Sequence, residues 1–278
     1  MSRPRARRRP KGLVLNIAVA LLALLTLFPL LWMVSVSFMS AGEAASFPPP
    51  LIPSRPTLEH YRELFFEHGV GRYFLNSTIL ATLATFLALL FTVPAGYAFA
   101  KLRFRGRERI FQLLVGALVI PGQIGTLPLF LLLEELGLVN TYAGALVPWL
   151  AGIFGLFLVR QYALSIPDEM LEAARIDGAS ELQIFTRVVL PTLQPILATL
   201  ALFVFLGSWN DFLWPLIILT GQENYTLPVA LATLSRESVQ DIELMMAGSV
   251  VTILPVLAIF IALQRYYIQG LTAGSVKG

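Results

Sequence analysis

The chain contains no cysteine among its 278 residues, which excludes a disulfide framework, a thiolate metal site and a thiol nucleophile. It also lacks the patterns H-E-x-x-H, G-x-S-x-G and G-x-x-x-x-G-K-S/T. The common machinery for zinc hydrolysis, serine hydrolysis and ATP binding is therefore missing. We do not expect this chain to be an enzyme.

Charged residues are scarce as well, at 13% of the chain, against roughly 25% in soluble domains. Hydrophobic residues make up 56%, so the composition predicts an all-α integral membrane protein. A helix needs about 20 apolar residues to cross a hydrocarbon core of about 30 Å. Six runs of this length predict six transmembrane helices, at about 13–38, 75–100, 110–133, 141–162, 192–219 and 244–268.

Basic residues are concentrated in alternate connections between these runs. Sixteen of the 20 Lys and Arg lie in the N-terminal tail, the second and fourth connections and the C-terminus, and the other four are Arg55, Arg62, Arg72 and Arg236. Cytoplasmic loops carry an excess of Lys and Arg. We therefore expect a multi-pass protein of the cell (inner or plasma) membrane with both termini in the cytoplasm.

Residues 1–12 form a basic tail ahead of a six-helix transmembrane domain over 13–278. An arm that binds nucleic acid is an alternative use of this tail, but orientation and attraction to anionic lipid already account for its charge. The expected partner is the lipid bilayer, with no nucleic acid. The first run, of about 26 residues, exceeds the 7 to 15 of a signal-peptide core, so we expect it to be retained.

Residues 165–191 form a polar connection between the fourth and fifth runs. Ser165 is predicted to cap a helix that has Pro167 in its first turn and runs to about Asp177. Gly178 then supplies a turn, and Ser180 with Gln183 forms a capping box that begins a second helix. Pro191 prevents simple continuation into the fifth run. The pattern predicts a helix, a sharp turn and a helix.

This connection matches a known motif, the EAA loop of importer-type ABC permeases. The matching residues are Glu172, Ala173, Ala174, Gly178, Leu190 and Pro191, and Val188 stands where that family usually has Ile. Five further stretches resemble the carbohydrate-importer branch, similar to the smaller permease of maltose-type systems. They are TLEHYRELF (57–65), NS (76–77), GLVNTYAG (137–144), SWNDFLWPL (208–216) and QRYYIQGLTAGSVKG (264–278).

The resemblance implies the architecture of a type I ABC importer permease, whose EAA loop is a cytoplasmic coupling helix seated in a groove of an ATP-hydrolysing subunit. The implied coupling residues are Glu172, Ala173, Ala174, Asp177, Gly178, Leu190 and Pro191. The implied partners are a second permease subunit of a homologous but different chain, a dimer of ATP-binding subunits that uses ATP and Mg, and an extracytoplasmic sugar-binding protein. The chain itself is expected to bind no cofactor.

The function implied is translocation of a sugar or oligosaccharide through the membrane. The alternative is a secondary transporter of a small polar solute. Such a transporter normally carries buried ionisable residues for ion coupling, and here Asp211 is the single candidate.

Two sequence features are candidates for the solute pathway. In the fifth run, Trp209, Asn210 and Asp211 offer a stacking surface and polar groups for sugar hydroxyls, or else they end that helix near the outer surface. In the third run, Gln123 lies among prolines and glycines that predict a broken helix. An ordinary kink between packed helices is the other interpretation.

The connection after the first run opens with the proline-rich stretch SFPPPLIPSRP, which predicts extended chain, and continues into a short helix. His60, Glu63, Glu67 and His68 lie at helical spacings on roughly one face, so their side chains are sterically able to hold a metal. An interfacial helix with a wet face explains the same pattern, and we predict no metal site here.

Overall fold

The computed structural model describes residues 10–237 and 241–273. These residues form helices joined by turns, and no strand occurs among them. The α-helices are α1 (Pro10–Val36), α2 (Glu59–Phe66), α3 (Val70–Lys101), α4 (Arg107–Ala117), α5 (Thr126–Glu135), α6 (Tyr142–Leu146), α7 (Ile153–Leu164), α8 (Asp168–Ile176), α9 (Glu181–Ile184), α10 (Leu190–Thr192), α11 (Gln194–Trp209), α12 (Leu213–Ile218), α13 (Leu227–Glu237) and α14 (Ile242–Ala273).

Three stretches of single helix are long and apolar enough to cross a membrane: Leu15–Val36, Val70–Lys101 and Ile242–Ala262. Three more candidates are pairs of helices bent at a short break. The pairs are Arg107–Ala117 with Gly122–Glu135 (94°), Tyr142–Trp149 with Ile153–Leu164 (44°) and Glu181–Thr192 with Gln194–Trp209 (77°). With each bent pair counted as one span, the described residues contain six, which is the predicted number.

The largest difference from the predicted spans is in the fifth. The sequence predicts one span over 192–219, but α11 ends at Trp209 and α12 is a separate short helix. Helix α11 ends where the polar pair Asn210 and Asp211 interrupts the apolar run. Of the two interpretations of Trp209 to Asp211 left open by the sequence, the structure favours the end of a helix.

The described chain divides into two compact units, one containing Val70–Thr233 and the other Leu234–Ile253 with the residues up to Gly69. In the first of these, α3 packs against α7 and α11. Small residues allow close approach, since a Cβ atom added to Gly96 would lie 2.6 Å from a methyl group of Val159. The buried core of these helices reaches the EAA loop through Leu171, Ile184 and Val189.

In the other unit, the end of α1 and the following segment surround a small core of Val36, Met39 and Ala44. The proline-rich segment that follows is non-helical, as predicted. Glu243, at the start of α14, is buried and accepts a hydrogen bond from the Ala44 amide at 2.7 Å. An acidic side chain is costly to bury unless it is hydrogen-bonded, and this contact satisfies it. Most of α1 remains exposed, as expected for a helix that faces lipid.

Candidate functional site

The EAA loop forms the predicted helix, turn and helix. Helix α8 ends at Ile176, and Gly178 follows with a φ of +83°. A Cβ atom added to Gly178 would meet nothing within 4 Å, so glycine is needed there for its backbone conformation and not for space. The predicted capping box is confirmed: Ser180 Oγ accepts from the Gln183 amide, and Gln183 Oε1 accepts from the Ser180 amide at 2.8 Å.

The predicted cap at Ser165 is wrong. Ser165 keeps a helical backbone and ends α7, and its Oγ donates to the Tyr162 carbonyl at 2.7 Å. Pro167 therefore lies just before α8 and not in its first turn. The acidic pair Asp168 and Glu169 does occupy the first turn, where negative charge interacts favourably with the helix dipole.

Pro191 does not itself end the second helix of the loop. The chain continues from α9 through one π-helical stretch, Phe185–Val189, into α10, which contains Pro191. The 77° bend into α11 follows at Leu193. The predicted change of direction before the fifth span is therefore confirmed, but its position is slightly later in the chain.

One surface of the loop is fastened to the end of α3 by polar contacts. The Lys101 ammonium donates to Asp168 Oδ1 at 2.6 Å and to the Ile166 carbonyl at 2.5 Å, although its side chain is only 6% exposed. The hydrogen bond and charge of Lys101 hold the pKa of Asp168 below its ordinary value. Because lysine is rarely buried without a partner, these contacts also account for its position.

A second contact closes the turn itself. Arg175 Nε donates to Glu181 Oε1 at 2.8 Å, and the Tyr97 hydroxyl donates to Glu181 Oε2 at 3.2 Å. Hydrogen bonding to Glu181 raises the pKa of Arg175. Glu181 thereby joins α8, α9 and α3, so the two helices of the loop are held as one body.

Much of the loop surface is open. Among the residues predicted for coupling, Glu172, Ala173, Asp177, Gly178 and Pro191 are exposed, whereas Ala174 and Leu190 are half-buried against the core. Two large apolar side chains lie on the same loop, with Ile176 87% exposed and Leu182 71% exposed. Small and apolar residues presented together on a fixed surface are typical of a protein docking site.

A second region of interest lies where α11 ends. Asn210 is the residue after the helix, and its Nδ2 donates back to the Leu206 carbonyl at 2.8 Å. Asp211 Oδ1 accepts from the Trp214 amide at 3.4 Å, just before the first turn of α12. Both side chains therefore have a structural use at a helix end.

The Trp209 side chain is fully buried. Phe74 contacts its ring edge-on with 5.6 Å between centroids, and Phe205 stacks on it at 5.9 Å. A sugar ring would need an open face of the indole for stacking. The structure thus places Trp209 in the protein interior and not on a solute-accessible surface.

A cavity of ≈ 530 Å³ brings together two of the four predicted pathway residues, Gln123 and Asp211. Gln123 lies in the 3-10 turn Gly122–Gly125, at the 94° break predicted from the prolines and glycines. Trp149 and Trp214 also line this cavity, although their sequence context did not identify them. Trp214 is buried and its Nε1 donates to the Gly144 carbonyl at 3.2 Å, whereas Trp149 is half-buried and has the more accessible ring.

A family model described as binding-protein-dependent transport system inner membrane component matches residues 5–272. The chain belongs to this permease family. The permease is 42% identical over 268 residues to the arabinooligosaccharides transport system permease protein AraQ of Halalkalibacterium halodurans, covering 95% of this chain and 96% of that protein. It is 33% identical over 259 residues to the diacetylchitobiose uptake system permease protein NgcG of Streptomyces coelicolor, covering 92% and 85%.

The fold comparison agrees with the family. A solved bacterial ABC transporter involved in the import of the acidic polysaccharide alginate matches this permease with a TM-score of 0.83 and 26% sequence identity. The match covers 95% of this chain and 100% of that chain. The permease is therefore a multi-pass inner membrane protein with the ABC importer permease fold.

The residues that position the EAA loop of the permease were not identified from the sequence. Tyr97 and Lys101 lie far from the loop in the sequence, near the end of α3, and their partners Glu181 and Asp168 belong to the loop. Arg160 is another residue that was not identified from the sequence. It donates to the Phe99 carbonyl and to Glu108 while its guanidinium lies 3.9 Å from the centre of the Phe111 ring.

Proposed function

We propose that this permease is the membrane-spanning subunit of an ATP-driven importer for an oligosaccharide delivered by an extracytoplasmic solute-binding protein. The observation that carries the proposal is the EAA loop, which Lys101 and Glu181 fasten in place while most of the residues predicted for coupling stay exposed. A loop fixed in this way transmits movement of a docked partner to α3 and α11, because it cannot deform independently.

The docked partner is a dimer of ATP-binding subunits on separate chains. No phosphate-binding loop pattern occurs in the sequence, so the permease has no such means of binding ATP itself. Exposed Ile176 and Ala173 fit an apolar groove, and Glu172 offers an acceptor to an arginine or an amide on its rim. ATP and Mg are used by that partner, and a second, homologous permease completes the channel.

The excess of Lys and Arg beside the EAA loop and in the N-terminal tail supports an orientation with both termini and the loop in the cytoplasm. The solute-binding protein then docks on the opposite side. Part of the segment 221–243 lies there, although residues 238–240 are outside the described chain.

The cavity between Gln123 and Asp211 is the part of the chain best suited to contact the solute. Gln123 supplies a donor and an acceptor, Asp211 an acceptor, and Trp149 an aromatic face, which together match the hydroxyl and C–H surfaces of a sugar. The similarity to permeases named for arabinooligosaccharides and diacetylchitobiose supports an oligosaccharide as the solute class.

The direct test is a crosslink between the loop and an ATP-binding subunit. Because the natural chain has no cysteine, Ala173→Cys creates a single thiol on the exposed surface of α8. A thiol-directed photocrosslinker on that residue is expected to capture the ATP-binding subunit in the purified importer, whereas the same probe on Ser54→Cys is not. Equal capture from both positions, or none from Ala173→Cys, would contradict the proposed docking surface.

A further inference from the structure

Three side chains that carry metal-ligand atoms meet beside α2. They are His60 and Glu63, from successive turns of that helix, and Asp241, from just before α14. One ligand atom of each lies within 4.8 Å of the others. The sequence had led us to predict no metal site at His60 and Glu63, because Asp241 lies too far along the chain for helical spacing to reveal it. Glu67 and His68, the other two considered, do not belong to the cluster.

His60 is held in the form that binds a cation. Its Nε2 lies 3.0 Å from the Met39 carbonyl oxygen, which only accepts hydrogen bonds, so Nε2 carries the proton. In the neutral ring, Nδ1 then presents a lone pair. Histidine ligands commonly donate their other N–H to a backbone carbonyl in this way, which fixes the tautomer and the direction of the ring.

The lone pair on Nδ1 has no hydrogen-bond partner among residues 10–237 and 241–273, although the His60 side chain is only 3% exposed. Its neighbour is Asp241 Oδ1 at 3.9 Å, which is another acceptor. Two acceptors that face each other in this way need a hydrogen-bond donor or a cation between them.

The distance between His60 Nδ1 and Asp241 Oδ1 distinguishes a direct hydrogen bond from coordination of a shared metal ion. An N–H···O hydrogen bond spans about 2.7 to 3.2 Å, so 3.9 Å is too long for a protonated His60 to bond Asp241 directly. Two ligands of one tetrahedral zinc ion, each about 2.0 to 2.2 Å from it, are about 3.4 Å apart. A carboxylate oxygen of Glu63 also lies within 4.8 Å of both atoms.

The carboxylates are themselves supported. Asp241 Oδ1 also accepts from the Leu244 amide at 2.8 Å, which holds it at the start of α14. Glu63 Oε1 lies 3.4 Å from His68 Nε2. Hydrogen-bonded carboxylates and an oriented imidazole are the surroundings in which metal ligands are usually found.

We propose that His60, Glu63 and Asp241 form a binding site for one zinc ion, with an open fourth position. One nitrogen and two oxygen ligands suit Zn²⁺, and the absence of cysteine from the chain excludes a thiolate alternative. The bound ion joins α2 to the residue that begins α14. None of these three residues belongs to the EAA loop or lines the cavity at Gln123.

The test is zinc binding by the intact importer, purified with an affinity tag that contains no histidine. Equilibrium dialysis followed by elemental analysis is expected to find one zinc per wild-type permease that His60→Gln no longer retains, because losing a ligand weakens binding by more than about 100-fold. Glu63→Gln should lower the affinity too. Glu67→Gln, which changes an exposed carboxylate on the same segment, should bind zinc like the wild type.

Cobalt substitution provides a second readout that does not depend on transport. Co²⁺ added to wild type and to Glu67→Gln should give the same visible absorption, and this signal should be absent from His60→Gln. Because the importer contains other chains, only the difference between variants counts. Equal zinc content in wild type and His60→Gln, both correctly assembled, would overturn the proposal, as would unchanged affinity in Glu63→Gln.

Discussion

Lys101 Nζ lies 2.6 Å from Asp168 Oδ1, and this contact joins the last residue of α3 to the first residue of α8. The same ammonium also binds the Ile166 carbonyl. One side chain thus fixes both the entry to the EAA loop and its first helix. The loop therefore has a defined position relative to α3 before any partner binds it.

Replacement of Lys101 by Met should uncouple transport from ATP hydrolysis. The methionine keeps most of the apolar stem but leaves the Ile166 carbonyl and Asp168 without their donor. We expect solute uptake per ATP hydrolysed to fall several-fold in reconstituted vesicles, while the amount of assembled importer stays the same. Arg105→Gln is the matched control, because it removes an exposed charge from the same connection.

The contact between Lys101 and Asp168 also predicts a pH dependence. The pKa of Asp168 in the folded protein is below its ordinary value, so its contribution to stability is fully present above about pH 4 and is lost as pH falls through the lowered pKa. The ratio of wild-type to Lys101→Met uptake should therefore stay constant between about pH 5 and 7. A ratio that declines within this range would show that another group controls the contact.

Gly178→Val should also uncouple the importer, for a different reason. Gly178 has a φ of +83°, a conformation that a β-branched residue adopts only with strain, although its Cβ would have room. Gly178→Asn is the control, since asparagine tolerates positive φ much better. Uptake normalised to membrane expression should be highest in the wild type, lower in Gly178→Asn and lowest in Gly178→Val. Equal uptake by all three would exclude a role for this turn.

The local structure of the loop could be predicted because its signals are local. Gly178 and the pair Ser180 and Gln183 act within a few residues, and the structure confirms them. The prediction for Ser165 was wrong because a serine between two helices can end one or begin the other. Lys101 and Glu181 were missed because their partners come from other helices.

The membrane spans, like the loop, could be predicted only in part from the sequence. Apolar runs predicted their number, and the prolines and glycines near Gln123 predicted a break, but the 94° angle of that break depends on backbone geometry that composition does not specify. The NS pair at 76–77 was quoted only as a resemblance, and the structure supplies its physical role. Asn76 donates to the Glu223 and Tyr225 carbonyls, and Ser77 accepts from the Leu227 amide.

The orientation is testable with thiol labelling, because the chain has no natural cysteine. Gly106→Cys and Ser180→Cys should react with a membrane-impermeant reagent only from the cytoplasmic side, and Ser54→Cys only from outside. All three positions are exposed, so a failure to react is not explained by burial. Labelling of Ser180→Cys from outside would reverse the proposed topology and remove the EAA loop from contact with any cytoplasmic ATPase.

The last prediction separates residues that line the solute cavity from those that hold it together. Trp209 is fully buried between Phe74 and Phe205, so Trp209→Ala should lower the thermal stability of the importer, with about 3 to 5 kcal/mol expected for loss of a buried tryptophan. Uptake by the Trp209→Ala importer, measured per assembled complex, should rank competing oligosaccharides in the same order as the wild type. Replacement of Gln123, which is exposed at the cavity, should change the preference among oligosaccharides and leave thermal stability unchanged.

Gln123→Ala removes a donor and an acceptor from the cavity without opening a hole in the core, so thermal stability should stay within about 0.5 kcal/mol of the wild type. The preference among oligosaccharides should change, because a site that binds a hydroxyl group discriminates through that bond. Competition uptake and thermal unfolding, measured on the same preparations of both variants, give the comparison. An altered sugar ranking in Trp209→Ala with an unaltered one in Gln123→Ala would move the pathway away from this cavity and towards the buried face of α11.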